Sequence, residues 1–525
     1  MASKSQSDTC CLTLPLKLEK WQIDRLEKRL EIARQIYNTL LRFELKKLRR
    51  FEEQPEVIAI NNRLIELRQQ DITPKKEISE LFKQLEAMRK SAGFTEYDFK
   101  SDIGGFYKHF KDNIGSNVAM HGIAPQVWRA FDWLFHHNGK RVHFKKQGEL
   151  DSICGYSKAG KSGGVEIYYR VTPSDPGNQG KKHSPSEYIE WKGLILPIKR
   201  NPSNEYESEM LERRVKYCRL IRRKGKTQSR WYVQLMIEGK PAVKYDKQTG
   251  TPKHQVGNGT VGIDIGPQTI AYSSENEVCL MELADQVVNI EHEKRIIQRK
   301  LDRSRRASNP QNYNEDGTIK RGIKLIWTKS KRYCILQQNL AYLQYQQSQT
   351  RKRQHTELAN HLLTLGNRII VEDMSWPALT HRAKETAISE KTGKYKRKSR
   401  FGKSVANKAP AMLIGILDQK LKSLGYAGVT KADTKKTRAS QYNHLLNEYK
   451  QKKLSERWNI MPDGRRIQRD LYSAFLLQHL NDHCDGYNAE ALNNDYEHFT
   501  YLHNQAILRL ASSGKTIASM GIKRT

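Results

Sequence analysis

Apolar and polar positions change rhythm twice along this chain. The run Leu12-Thr13-Leu14-Pro15-Leu16-Lys17-Leu18 alternates and reads as a strand. Apolar residues then recur, mostly three or four apart, at Leu26, Leu30, Ile36, Tyr37, Leu40, Leu41 and Leu45. That period puts them on one helical face. The helical pattern continues over 55–135 with a break near Thr73-Pro74, and its last helix carries Val127, Trp128, Phe131, Leu134 and Phe135. From about 140 the rhythm shortens. The stretches 141–145, 164–168, 193–197 and 230–235 are β-rich and punctuated by Gly, Asn and Pro, which predicts a small β-barrel or curled sheet.

A third organisation begins near 256. Val261, Ile263 and Ile265 alternate with Gly262, Asp264 and Gly266, and Pro267-Gln268 turns the chain into Thr269-Ile270-Ala271-Tyr272. This predicts a hairpin. A long helical region follows, interrupted at 308–317 by an Asn/Pro/Gly-rich turn. A short apolar strand over 368–371 ends at Glu372. The stretch 381–408 holds ten Lys/Arg against two Glu and reads as a mobile basic linker. A helix is expected over 411–424, a strand over 425–429 and a last clear helix over 466–480. No internal repeat is found.

Charge changes this picture from a fold to a partner. The 525 residues include 92 Lys+Arg and 57 Asp+Glu, a formal net charge of +35. Such an excess repels itself in a compact fold unless a polyanion neutralises it, and nucleic acid is the usual neutraliser. No apolar run approaches the ~18 residues that would span a bilayer. The polar N-terminus and the short Leu12–Leu16 stretch are not expected to form a secretion signal. The expected location is the cytoplasm, in association with the nucleoid. The seven cysteines (Cys10, Cys11, Cys154, Cys218, Cys279, Cys334 and Cys484) are scattered, with no C-x-x-C pair. They read as reduced thiols, so neither a disulfide framework nor a zinc finger is expected.

Candidate chemistry lies in three acidic residues on well-separated segments. Asp264 alternates with Ile263 and Ile265, so it shares its strand face only with Gly262 and Gly266. Those glycines leave room for a metal ion and a phosphate. Glu372 ends an apolar strand. Asp470 lies near the start of a helix, on a stripe with Ser473, Ala474 and Leu477 whose small residues allow close approach to a sheet. Three such carboxylates can hold a pair of Mg²⁺ ions roughly 4 Å apart, and oxygen ligation favours Mg²⁺ or Mn²⁺ over zinc. Asp463, just before Asp470, remains an alternative third carboxylate.

At these segments the chain resembles the TnpB family, transposon-encoded RNA-guided DNA nucleases, and the related small type V CRISPR effectors. Gly262-Ile263-Asp264-Ile265-Gly266 is similar to the first RuvC motif, Val371-Glu372-Asp373-Met374 to the second and Arg469-Asp470-Leu471-Tyr472-Ser473-Ala474 to the third. The resemblance implies an α+β multidomain fold. It would comprise a first wedge strand (1–18), a helical recognition domain (19–138), a wedge β-barrel (139–255) and a RuvC-like nuclease domain with long basic helices (256–410). A helix with an insertion (411–465) and the third motif with a C-terminal extension (466–525) would complete it. It implies a guide RNA and target DNA as partners, recognition of a short flanking DNA motif, and Asp264, Glu372 and Asp470 as catalytic metal ligands. One departure is clear. The family commonly carries a C-x-x-C…C-x-x-C zinc ribbon between its second and third motifs. No cysteine lies between Cys334 and Cys484 here, so a metal-free insertion and no zinc are expected.

Basic positions supply the expected nucleic-acid surface. Lys145 and Lys146 stand at the wedge. Arg213, Arg214, Arg222, Arg223 and Arg230 belong to a segment, 213–230, with nine Lys/Arg and no acid. Lys294, Arg295, Arg299, Lys300, Arg303, Arg305 and Arg306 recur at partly helical spacing after the first motif, in the region that the resemblance places beside a guide–target duplex. Lys396, Arg397 and Arg400 lie in the basic linker. Gly155-Tyr156-Ser157-Lys158-Ala159-Gly160-Lys161-Ser162 matches a phosphate-binding loop letter for letter. That motif needs a buried strand before it and a helix after it. Neither is expected here, so it reads as a lysine-rich loop.

The function expected is RNA-guided DNA cleavage. The alternatives are a guide-dependent DNA-binding repressor without cleavage, an RNase H-like transposase, and an RNA-associated structural protein in which the three acids meet by accident.

Overall fold

The computed structural model describes residues 8–69, 74–137, 139–156, 166–171, 187–225, 228–382, 385–388, 393, 395, 401–453 and 455–522. Helices mix with several sheets, and the chain divides into two compact units, Met1–Ala242 and Val243–Thr525. No described helix is long and apolar enough to cross a membrane.

The first unit opens with strand β1 (Thr9–Pro15) and helices α1 (Lys20–Glu52), α2 (Pro55–Gln69), α3 (Lys75–Ser91), α4 (Glu96–Asp102) and α5 (Ala124–His136). Strands β2 (Ser152–Tyr156), β3 (Ile167–Val171), β4 (Glu187–Trp191) and β5 (Leu194–Pro197) follow, then α6 (Glu205–Leu211), β6 (Val215–Lys224) and β7 (Ser229–Glu238). The strands form two antiparallel sheets, β1-β7-β6-β2 and β3-β4-β5, linked by a bridge between Leu16 and Ile198. Leu12 and Leu14 pair with Leu235 and Val233, and their side chains face inward. They share one apolar core with Leu26, Leu30, Ile36, Leu40 and Leu41 of α1. Each such leucine contributes about 2 kcal/mol by leaving water.

The expected strand at 141–145 is absent. Asn38 and Arg34 of α1 take the backbone groups that a ladder would use. Lys145 N donates to Asn38 Oδ1 at 2.9 Å, and its carbonyl accepts from Arg34 Nη1 and Asn38 Nδ2 at 2.8 Å each. The phosphate-loop match fails in context: Gly155 lies inside β2, which runs antiparallel to β6, and the next described element is strand β3. Ser157 to Ser162 lie outside the described residues.

The second unit is built on the strands β8 (Thr260–Ile265), β9 (Thr269–Ser273) and β10 (Val278–Glu282). Helices α7 (Glu291–Ser308) and α8 (Lys331–Leu365) lead to β11 (Arg368–Glu372). After it come α9 (Trp376–Thr380), α10 (Gly402–Lys408), α11 (Pro410–Ser423), β12 (Thr430–Ala432) and α12 (Thr434–Thr437). Two short ladders, β13 (Tyr442–Asn443) with β14 (Glu448–Tyr449) and β15 (Trp458–Ile460) with β16 (Arg466–Gln468), precede α13 (Arg469–Gln478) and α14 (Ala489–Ser512). The main sheet has the order β10-β9-β8-β11-β12. Its first three strands form an antiparallel meander, and β11 lies parallel to both β8 and β12. Both faces are covered, as parallel strands require. Val261, Ile263, Ile369 and Val371 pack against Leu362 of α8 and Leu413 and Leu417 of α11. Ala271 and Ile370 pack with Leu471, Ala474, Phe475 and Phe499 of α13 and α14.

Three expectations are corrected here. The strand expected at 425–429 begins only at Thr430, because Gly425 (φ 96°) and Gly428 (φ 101°) take left-handed conformations that interrupt an extended run. The linker expected over 381–408 ends in helix α10, whose Lys408 is buried and ion-paired with Glu282 at 2.7 Å. The helix expected over 466–480 starts at Arg469 and is not the last. The 24-residue α14 follows it, with Leu492, Tyr496, Phe499, His503 and Ala506 buried at helical spacing.

The segment between α12 and α13 is held by aromatic rings. Tyr442 stacks on Tyr487 with centroids 4.5 Å apart, and His444 meets the Tyr496 ring edge-on at 4.7 Å. His444 Nδ1 lies 2.7 Å from Tyr472 Oη. All seven cysteines are free thiols. Burial pushes His444 down from 6.5 to about 4. Below pH 6.5 the unfolded chain therefore takes up a proton that the folded histidine refuses until about pH 4. Its contribution to stability is full above that window and is lost as pH falls through it. His444→Gln is expected to flatten the pH dependence of unfolding free energy by up to about 1.4 kcal/mol per pH unit within the window. Denaturant unfolding of both proteins from pH 7 to 4 tests this, and parallel curves would refute it.

Candidate functional site

The alternation of β8 sends Val261, Ile263 and Ile265 into one core and leaves Gly262 and Asp264 on the opposite face. β11 pairs in parallel with Gly262 opposite Ile370 and Ile263 opposite Val371. The next step of the two strands sets Glu372 alongside Asp264, on the same face. Across this face lies α13. A Cβ on Gly262 would run into Ala474 O and Gln478 N, and would sit 2.8 Å from Leu477 C. Glycine at 262 is thus what lets the helix backbone reach the strand. The expectation that both glycines clear space for a ligand is corrected: Gly262 makes room for α13. A Cβ on Gly266 would meet only Thr269, at 3.4 and 3.6 Å.

The helix so placed carries Asp470 in its first turn. Burial raises the Asp264 carboxyl well above its usual range, and the charges of Asp470 and Glu372 raise it further. Arg469 and a hydrogen bond from Ser473 oppose them. Glu372 is raised by burial. The three expected acids are therefore electrostatic neighbours. Asp463 stands elsewhere. It caps the β15–β16 turn, accepting from Arg465 N at 3.0 Å and pairing with Arg465 Nε at 3.3 Å, and has Tyr496 beside it. Of the two alternatives for the third carboxylate, Asp470 is the one beside Asp264.

Sequence reasoning missed the partners of these acids. Arg469 Nε and Nη2 reach Asp470 Oδ1 at 3.4 and 3.3 Å, and Arg457 Nη1 lies 3.8 Å from Oδ2. Arg469 stood next to Asp470 in the motif and offered a signal, whereas Arg457 comes from the loop just before β15 and offered none. With Asp470 turned to these arginines, no three His, Cys, Asp or Glu groups among the described residues pack closely enough to hold an ion. The donor set itself fits a hard divalent cation: only carboxylates, and an excess of partly buried negative charge. A cavity of about 520 Å³, lined by Glu372, Asp373, Asp418 and Lys431 among others, opens at this end of the sheet.

The basic positions divide by what their side chains touch. In the first unit, the Lys145 ammonium sits 4.7 Å from the Tyr37 ring, while Lys146 is exposed. Arg222 is taken up internally, by Asp151 at 2.8 Å and by the carbonyls of Gly148 and Leu150. Arg213 binds Glu209 at 2.7 Å and the Lys240 carbonyl. Arg223 lies over the Tyr232 ring at 4.4 Å. Arg214 and Arg230 are exposed. In the second unit, Arg299, Lys300 and Arg303 are exposed on α7, a helix with no buried residue. Arg305 and Arg306 instead bind Asp302 at 2.7 and 2.9 Å and lie over Trp327 and Tyr313. Lys396, Arg397 and Arg400 lie outside the described residues.

No family model matches this chain, and no curated protein does. Solved structures do. One is the Cas12f1-sgRNA-target DNA complex, at 12% identity and a TM-score of 0.41, over 91% of this chain and 99% of that one. Another is a CRISPR-Cas12f ternary complex, at 14% identity and a TM-score of 0.24, over 87% and 82%. Likeness at these scores is weak, and the local geometry of the carboxylates carries the functional reading.

Proposed function

We propose that this chain is an RNA-guided DNA endonuclease whose second unit is an RNase H-like, RuvC-type nuclease domain. The observation that carries the reading is the sheet order β10-β9-β8-β11-β12, with an antiparallel meander joined to parallel strands and with Asp264 and Glu372 at strand ends beneath Asp470. Asp264, Glu372 and Asp470 would hold Mg²⁺ or Mn²⁺. The ion would supply Lewis acidity toward phosphodiester oxygens and water. The chain's own part is to bring three carboxylates into one neighbourhood, to keep Asp264 and Glu372 desolvated, and to hold Ser473 against Asp264. Arg469 and Arg457 must release Asp470 for it to ligate. The exposed Lys146, Arg214, Arg230, Arg299, Lys300 and Arg303 are the contacts for a guide RNA and target DNA backbone, which position without reading sequence. The helices and sheets of the first unit would serve as recognition and wedge elements that read a short flanking motif. Sequence is then read by base pairing. A location in the cytoplasm, at the nucleoid, follows from such partners. A repressor lacking cleavage is disfavoured by the presence of all three acids.

Sequencing the RNA that co-purifies with the protein tests guidance: one discrete species supports it, and its absence favours a transposase. Metal tests the centre. The aromatic insertion needs no ion, so a zinc-selective chelator is expected to leave the melting temperature unchanged, while withdrawal of Mg²⁺ abolishes cleavage. One tightly held zinc per chain would overturn the metal-free insertion, since structural zinc takes four Cys/His ligands.

A further inference from the structure

A cleft of about 430 Å³ opens beside the turn that follows Asp264. Gln268 of that turn, His292 and Arg295 of α7, and Lys403, Ser404 and Asn407 of α10 line it. Its frame is fixed at several points. Gln268 Nε2 donates to Ser404 Oγ at 2.8 Å, and Arg351 Nη1 donates to the carbonyls of Ala406 and Asn407 at 2.7 and 2.9 Å. The buried Lys408 ammonium donates to the Ala284 carbonyl at 3.0 Å in addition to its pair with Glu282, and His355 Nε2 lies 2.7 Å from the Lys408 carbonyl. Three buried or half-buried side chains thus hold one short helix in place.

Against that frame, the side chains of Arg295 and Lys403 are exposed, and neither is in an ion pair among the described residues. The one carboxylate in the lining, Glu291, is matched by Lys294 at 3.2 Å. The cleft therefore offers two unneutralised cations from different helices, together with amide and hydroxyl donors. That is the complement of a phosphodiester, which carries one negative charge and several acceptor oxygens. Asp264 and Glu372 stand at the carboxyl ends of parallel strands, where α/β sheets take their ligands, and Gln268 continues directly from that end.

We propose that this cleft binds a backbone phosphate of the DNA strand that the carboxylates cut. Arg295 and Lys403 would be positioning residues. The proposal rests on the nuclease reading above, and its test separates the two. The full-length double variant Arg295→Ala/Lys403→Ala is compared with Lys324→Ala/Lys515→Ala, which removes equal charge from exposed positions outside the cleft. A fluorescein-labelled single-stranded DNA oligonucleotide is titrated with each protein at several salt concentrations. The cleft variant is expected to keep its melting temperature, to bind about tenfold more weakly, and to lose roughly 1 from the slope of log affinity against log salt for each contact removed. In guided cleavage its KM for DNA should rise while kcat is largely kept. A slope and KM like those of the wild type, or an equal loss in the control variant, would overturn the cleft and leave the nuclease intact. Failure of the wild type itself to bind DNA would overturn both.

Discussion

Asp264→Asn is expected to abolish DNA cleavage and, at the same time, to raise the melting temperature. The two effects come from one cause. Burial and two like-charged neighbours hold the Asp264 carboxylate in a place where its charge is unfavourable without a cation. A neutral isostere removes that repulsion and keeps an acceptor for Ser473. It also removes a proposed metal ligand, so cleavage should fall by roughly 10³-fold or more. Glu372→Gln is expected to behave alike. Asp470→Asn should lose cleavage but also lose stability, by about 1 to 3 kcal/mol, because Arg469 and Arg457 would be left without their carboxylate. Guided cleavage of labelled DNA in Mg²⁺, alongside calorimetry, distinguishes these signs. A variant that cleaves like the wild type does not alter a metal ligand. A fall in melting temperature for Asp264→Asn would show that its charge is already compensated.

The strands that carry the acids were legible because alternation is a local property. Val261, Ile263 and Ile265 fix both the strand and the face that Asp264 takes. The run over 368–371 fixes Glu372 in the same way. What the sequence could not display is pairing between distant segments. The register that sets Glu372 beside Asp264, the approach of Arg457 and the withdrawal of Asp463 toward Tyr496 depend on contacts remote in the chain. The basic residues show the same divide. A count of arginines cannot separate Arg222, which is spent on Asp151, from Arg230, which is free to meet a ligand, since both share one run of charge. α14 is harder to read, because its buried stripe includes Tyr496 and His503, whose polar groups interrupt the apolar period.

Gly262→Ala is expected to be severely damaging, although it adds a single methyl group. Its Cβ would be driven into the α13 backbone at Ala474, Leu477 and Gln478, and backbone cannot swing aside as a side-chain end can. Either the helix lifts from the sheet or β8 shifts. Both separate Asp470 from Asp264 and open the core formed by Leu471, Ala474 and Phe475. Overpacking of this kind costs about 1 to 3 kcal/mol and more where nothing can relax. The melting temperature should drop by several degrees, and cleavage should fall even at temperatures where the variant stays folded, because the proposed metal ligation depends on the spacing of the carboxylates. Gly266→Ala is the matched control. Its Cβ would meet only Thr269 at ordinary contact distance, so stability should change little. Equal tolerance of alanine at 262 and 266 would mean that α13 does not rest on β8 as described, and the assignment of Asp470 to the centre would fall with it.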